Sequence, residues 1–185
     1  MEIKNLSKSF GDKQVFNNFS LEIPDFKTTF IMGESGCGKT TLLRIIAGLD
    51  KDFTGEISSC PERISYVFQE PRLFDALTVR QNLEIIENNS NLSIEELLSI
   101  VELDGEEEIY PNALSGGMKI RLSIARALLY NGDIFLMDEP FSALDENMKN
   151  RIIPKVFALL KGKTVLIISH NAEEASMYSD KIINL

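Results

Sequence analysis

Apolar side chains recur along this chain with two periods, and the order in which the periods appear outlines the fold. Phe19-Ser20-Leu21-Glu22-Ile23 alternates apolar and polar positions, the mark of a half-buried strand, and Pro24-Asp25 ends it. Residues 1–32 as a whole read as short strands broken by turns, closing with the buried strand Thr28–Met32. A helical period then takes over from Lys39 to Ala47, with Leu42, Leu43, Ile45 and Ile46 as its apolar positions and Gly48 as its stop. Ile64–Phe68 reads as a further strand with Gln69 at its end. Ile134–Met137 and Val165–Ile168 are unbroken apolar runs, as expected of parallel strands covered on both faces, and Lys181–Asn184 is a last strand.

From Thr78 to about Tyr110 the pattern becomes helical and acidic. Thr78 is placed to cap a helix through Leu83, Ile85 and Ile86, and Ser93 with Glu96 forms a capping-box pattern for the next. Helix resumes after Gly117, with Ile120, Ile124 and Leu128 on one face and Arg121 and Arg126 elsewhere. Another helix runs from Asp145 to Leu160, where Pro154 predicts a local kink because it removes a backbone donor. The pattern predicts one α/β core with a small all-helical insertion at about 77–113.

Composition narrows the function classes. Charged residues make up 25% of the 185 positions and apolar residues 44%, the ordinary range for a globular domain. The formal charge of −9 argues against broad nucleic-acid binding, which needs a basic face. No apolar run reaches the roughly 18 residues of a membrane span, and Met1-Glu2-Ile3-Lys4 opens without a signal-peptide pattern, so a cytoplasmic location is expected. Cys37 and Cys60 lack metal-ligand spacing, and Glu106-Glu107-Glu108 reads as a solvated acidic turn.

Two glycine-rich segments carry the chemistry. Gly33-Glu34-Ser35-Gly36-Cys37-Gly38-Lys39-Thr40-Thr41 matches G-x-x-x-x-G-K-[ST] between a strand and a helix, the context that motif requires. Its glycines let backbone N–H groups form an anion nest at a helix N-terminus, Lys39 would reach the β- and γ-phosphates, and the Thr40 hydroxyl would ligate Mg2+. Asp138-Glu139 closes a buried strand, where Asp138 is poised to hold Mg2+ and Glu139 to act as general base for an attacking water. The second glycine-rich segment is Leu114-Ser115-Gly116-Gly117-Met118, at a helix start. One nucleotide in one small domain does not need it; a nucleotide held by another copy would.

With these residues in place, the chain resembles the ATP-binding cassette (ABC) ATPases over nearly its whole length. The order of the glycine loop, the Leu114–Met118 signature segment and the Asp138-Glu139-Pro140 strand end is the family's. Phe10 falls where the family stacks an aromatic ring on adenine, Gln69 at the Q-loop, Ser142-Ala143-Leu144-Asp145 at the D-loop, and His170, the chain's single histidine, at the switch position. The resemblance implies a P-loop NTPase core of mostly parallel sheet flanked by helices, an N-terminal antiparallel β subdomain, and the helical insertion, together one nucleotide-binding domain over 1–76, 77–113 and 114–185. It also implies ATP and Mg2+ as cofactors, with Thr40, Gln69 and Asp138 around the metal, and Glu139, His170 and Gln69 in catalysis. Two cassettes would stack head to tail, most simply as a homodimer, with ATP between one glycine loop and the other copy's signature segment and with Asp145 linking the sites.

Gln69-Glu70-Pro71-Arg72-Leu73, Tyr110-Pro111, Met118 and Asp138-Glu139-Pro140-Phe141 are similar to the nitrate/sulfonate/taurine importer subgroup. That likeness implies separate integral membrane permease subunits, a substrate-binding protein, no nucleic acid, and attachment to the inner face of the cell membrane. A coupling helix would be received near Phe68–Ala76 and the helix from Thr78. Soluble non-transport ABC ATPases are the alternative, but they usually carry a long coiled coil or two cassettes, and Gln69 to Leu114 shows no sustained heptads. Met118 stands where many cassettes have glutamine, and the chain ends at Leu185 where most family members continue, so either a minimal cassette or one that leans on its partner subunits is expected.

Overall fold

The computed structural model describes residues 1–185. In chain order its elements are β1 (Glu2–Phe10), β2 (Lys13–Glu22), β3 (Thr28–Met32), α1 (Lys39–Ile46), β4 (Thr54–Ser58), β5 (Ile64–Val67), α2 (Val79–Glu84) and α3 (Ile94–Ile100). A short 3-10 turn at Pro111–Ala113 leads to α4 (Gly116–Tyr130), β6 (Ile134–Asp138), α5 (Glu146–Leu160), β7 (Thr164–Ile168), α6 (Ala172–Tyr178) and β8 (Lys181–Asn184).

Five strands form a parallel sheet in the order β5-β6-β7-β3-β8. Every residue of β6 and β7 is buried, which is why these strands read as unbroken apolar runs. Their side chains alternate between two cores. Phe135, Met137, Val165 and Ile167 pack with α4 and α5, while Ile134, Leu136, Leu166 and Ile168 pack with α1 and the N-terminal strands. The loops that carry the glycine motif, Gln69, Glu139 and His170 leave the C-terminal ends of β3, β5, β6 and β7. These four strands lie in one contiguous order, β5-β6-β7-β3, so the sheet delivers the four loops to one edge.

The second sheet is antiparallel, in the order β2-β1-β4. Its β4 was not foreseen from the pattern, because all but one of its residues are exposed and it carries no alternating apolar face. Asn5 and Asn18 sit at φ 52° beside register shifts between β1 and β2. Each such irregularity adds a residue and re-aims the side chains beyond it. After Ile3 the next buried residues of β1 are Leu6 and Lys8, where plain alternation would have turned Asn5 and Ser7 inward.

The insertion departs from the all-helical expectation. The Ser93–Glu96 capping box forms, and the Thr78 cap is itself a box: Thr78 Oγ1 accepts from Gln81 N while Gln81 Oε1 accepts from Thr78 N, and Ser93 and Glu96 exchange the same pair. Yet α2 spans six residues and α3 seven, and most of the remainder is turns. Fully buried Asn82 substitutes for helix here: its Nδ2 donates to the carbonyls of Phe74, Leu77 and Thr78, and its Oδ1 accepts from Phe74 N. Helix α4 begins at Gly116, two residues earlier than expected, and α5 continues through Pro154 to Leu160.

Candidate functional site

Helix α1 starts at Gly38, whose φ of 108° lies in the region that favours glycine. A Cβ there would stand 2.5 Å from Val15 Cγ1 and 2.9 Å from the Phe16 ring, so the loop must pass β2 bare. This turn places Lys39 at the start of the helix, with its ammonium folded across the loop onto the carbonyls of Gly33 (2.9 Å) and Glu34 (2.7 Å). Carbonyl oxygens hold the ammonium without neutralising it, and the free N–H groups of the helix start add positive potential beside it.

A cavity of about 260 Å³ opens over this loop. Phe10, Ser35, Gly36, Gly38, Lys39, Thr40, Thr41, Gln69, Glu139 and His170 all line it, so ten of the residues singled out from sequence converge. Lys13 and Val15 join them; sequence reading missed both, because only the β1–β2 pairing of Phe10 with Lys13 brings β2 to the loop. Gly33, Glu34 and Cys37 complete the same loop without lining the cavity, and Cys37 Sγ lies 3.9 Å from Lys39 Nζ.

Asp138 is 2% exposed and its Oδ1 has no hydrogen-bond partner. Burial pushes its carboxyl above the ordinary aspartate range, with Thr40 pulling the other way. A buried carboxylate oxygen left unpaired beside a threonine hydroxyl is a donor set suited to a hard divalent cation. Gln69, Thr40 and Asp138 also meet around a smaller void of about 140 Å³ behind the loop.

Glu139 follows in a left-handed conformation, φ 51°. Its N–H donates to the Ile168 carbonyl (3.0 Å), and its own carbonyl accepts from Ser142 N (3.2 Å) and Ser142 Oγ (2.9 Å). A non-glycine residue held there costs about 1 kcal/mol or more, so the neighbouring turn must over-determine it. The strained turn brings the Glu139 carboxylate to 3.1 Å from His170 Nε2. His170 is 49% exposed, and its two neighbours are tied together: Ser169 Oγ donates to Glu174 Oε2 (3.0 Å) and accepts from Asn171 N (3.0 Å). Lys149 of α5 holds the other Glu174 oxygen at 3.3 Å. Asn171 caps α6, a role His170 itself does not take. Sequence reading missed Ser169, Glu174 and Lys149; the Asn171-x-x-Glu174 spacing at a helix start was the available signal. These residues border a second, larger depression of about 550 Å³ that shares Glu139 and His170 with the first.

The Leu114–Met118 segment lies outside both cavities. Leu114 is buried in the core and Met118 packs against it, while Ser115 and Gly116 are exposed at the start of the 15-residue α4. Ser115 Oγ accepts from Met118 N at 3.2 Å, capping the helix. A Cβ on Gly117 would approach the Ala143 carbonyl to 3.2 Å, so the segment packs directly on the turn that leads to Asp145. Asp145 caps α5 by accepting from Met148 N at 2.9 Å. Buried Arg121, one turn along α4, donates to the carbonyls of Gly117, Val101 and Glu102 and so ties this surface to the insertion.

The model of the ABC transporter family matches residues 16–142. The aliphatic sulfonates import ATP-binding protein SsuB of Bacillus anthracis is 41% identical over 202 aligned positions, covering 99% of this chain and 80% of that protein. Among solved structures, the dimeric structure of MJ0796, a bacterial ABC transporter cassette, superposes with a TM-score of 0.86 at 31% identity, covering 100% of this chain and 93% of that one. A dimeric post-hydrolysis state of the same cassette bound to ADP and Pi gives 0.83 at 31% identity with the same coverage. No helix of this chain is long and apolar enough to cross a membrane. With its glycine loop, strand-end carboxylates and signature helix placed as above, this chain belongs to the ABC transporter family.

Proposed function

We propose that this chain is the ATP-hydrolysing subunit of an importer for an organic sulfonate, working as a nucleotide-closed dimer beneath separate membrane subunits. The observation that carries the reading is the division of the site. Lys39, Glu139 and His170 share one cavity, while Ser115 and Gly116 stand exposed at a helix start elsewhere on the surface.

In this reading the triphosphate lies along the Gly33–Thr41 loop, with Lys39 on the β- and γ-phosphates and Phe10 against the base. Thr40, Asp138 and Gln69 would hold Mg2+, which when bound neutralises charge on the phosphates. Glu139 takes the proton of the attacking water, and His170, held by Glu139 and the Ser169–Glu174–Lys149 network, contacts the γ-phosphate. Ser115, the Gly116 and Gly117 amides and Met118 of a second copy close the site from the other side, with Asp145 linking the two. Closure follows because ATP touches both halves, and hydrolysis removes that bridge.

The insertion at 77–113 is the lobe that meets the permease. Beside it, Tyr66, Phe68, Arg72, Ile86, Arg126 and Tyr130 line a groove of about 350 Å³, with Phe74 and Ile85 exposed at its margin. Solute choice would come from a substrate-binding protein on the far side, which places this subunit on the inner membrane face. The likeness to a sulfonate importer subunit supports the solute class. Reconstitution with the permease subunits tests the reading: phosphate release should rise when an alkanesulfonate-loaded binding protein is added, need Mg2+, and vanish in Lys39→Ala. Release that ignores the loaded binding protein would refute the importer assignment.

A further inference from the structure

Lys8 is buried where a strand facing a core would ordinarily carry an apolar residue. The irregularity at Asn5 turns it inward, and its side chain is 3% exposed. The ammonium donates to Asp50 Oδ1 (2.9 Å), the Asp52 carbonyl (2.5 Å) and Asp52 Oδ2 (3.3 Å). Asp50 Oδ1 also accepts from Asp52 N at 3.0 Å, so the loop between α1 and β4 forms a fixed acceptor cup for this one cation. The Asp50 carboxylate is largely buried with the ammonium while that of Asp52 is open to water, and such pairs stabilise weakly compared with apolar packing, so this lysine calls for a reason beyond stability.

That reason lies two residues along the same strand. The Lys8 ammonium stands over the Phe10 ring, 4.7 Å from its centroid. Phe10 is 53% exposed and lines the nucleotide cavity. A cation fixed on one face of an aromatic ring blocks that face and draws π density toward itself. That polarisation makes the opposite face electron-poor, which suits an electron-rich purine.

We infer that Lys8, locked by Asp50 and Asp52, is a positioning residue for the nucleotide base: it backs the Phe10 ring and biases its free face toward purines. The inference rests on the reading of Phe10 as the residue that stacks on the base. The ammonium of Lys8 bonds to Asp50 and Asp52 and to no phosphate-loop group, so its effect should depend on the base and pass through Phe10.

Calorimetric affinities for Mg-ATP, Mg-CTP and base-free Mg-tripolyphosphate would separate these dependences in the parent chain, Lys8→Met, Phe10→Ala and the double variant. Lys8→Met should weaken ATP about three- to fivefold. It should weaken CTP less, leave tripolyphosphate unchanged, and add nothing in the Phe10→Ala background. If Lys8→Met alone does not fold, Lys8→Met with Asp50→Asn removes the stranded carboxylate and carries the same expectations. An equal loss for ATP and tripolyphosphate, no loss for ATP, or a loss that persists without Phe10 would overturn the inference. Phe10→Ala that leaves ATP affinity unchanged would instead overturn the stacking role of Phe10.

Discussion

Asp138 shows most clearly a residue kept at the expense of the fold. Its carboxyl is buried with one oxygen unpaired, and burial raises its pKa above the ordinary 3.8. Between 3.8 and that raised value the folded chain holds a proton the unfolded chain has lost. Stability contributed by this group is therefore present below the unfolded value and lost as pH rises through the folded one. Asp138→Asn should raise the melting temperature of the metal-free chain at pH 7 and abolish Mg-ATP hydrolysis; a lowered melting temperature would refute the assigned strain. Gly38→Ala should cost about 1–3 kcal/mol in urea unfolding, because φ is positive and the new methyl meets Val15 and Phe16.

At the scale of elements, the strands and helices whose periods are set by two-sided or one-sided burial were legible in the chain. Thr28–Met32, β8 and the caps Thr78 and Ser93 came out where the pattern put them. The exposed strand β4 and the turns of the insertion were not legible. An exposed edge strand has no apolar face, and Asn82 organises its loop through tertiary hydrogen bonds that leave no period. Arg121 was equally opaque: a lone arginine on a helix gives no sign that its guanidinium will bind three carbonyls of other turns. Arg121→Met should lower stability by about 2 kcal/mol and weaken ATP-driven pairing of the cassette beyond what that loss explains, readable by denaturation and light scattering. The Ser169–Glu174–Lys149 network gives a separate expectation. Glu174→Ala should lower kcat several-fold while leaving ATP affinity unchanged, since it acts on His170 and not on the phosphate loop; an affinity loss of the same size would contradict that role.

Across the whole molecule, the motifs singled out residues far apart in the chain, and the parallel sheet explains why ten of them meet: four adjacent strands end at one edge. The signature segment reads in the sequence as an anion site without a ligand in its own chain, and it lies apart from the glycine-loop cavity in the folded chain. What no single chain's sequence can display is the surface that completes it. On the proposed function, two half-sites on one cassette would amount to two full sites on a head-to-tail pair, so nucleotide should control assembly. The light-scattering mass of Glu139→Gln, with and without Mg-ATP, measures that directly. The mass should double only when nucleotide is present and return to the monomer value when Lys39→Ala is added. A monomer mass with ATP binding confirmed would contradict closure of two copies of this chain around the nucleotide.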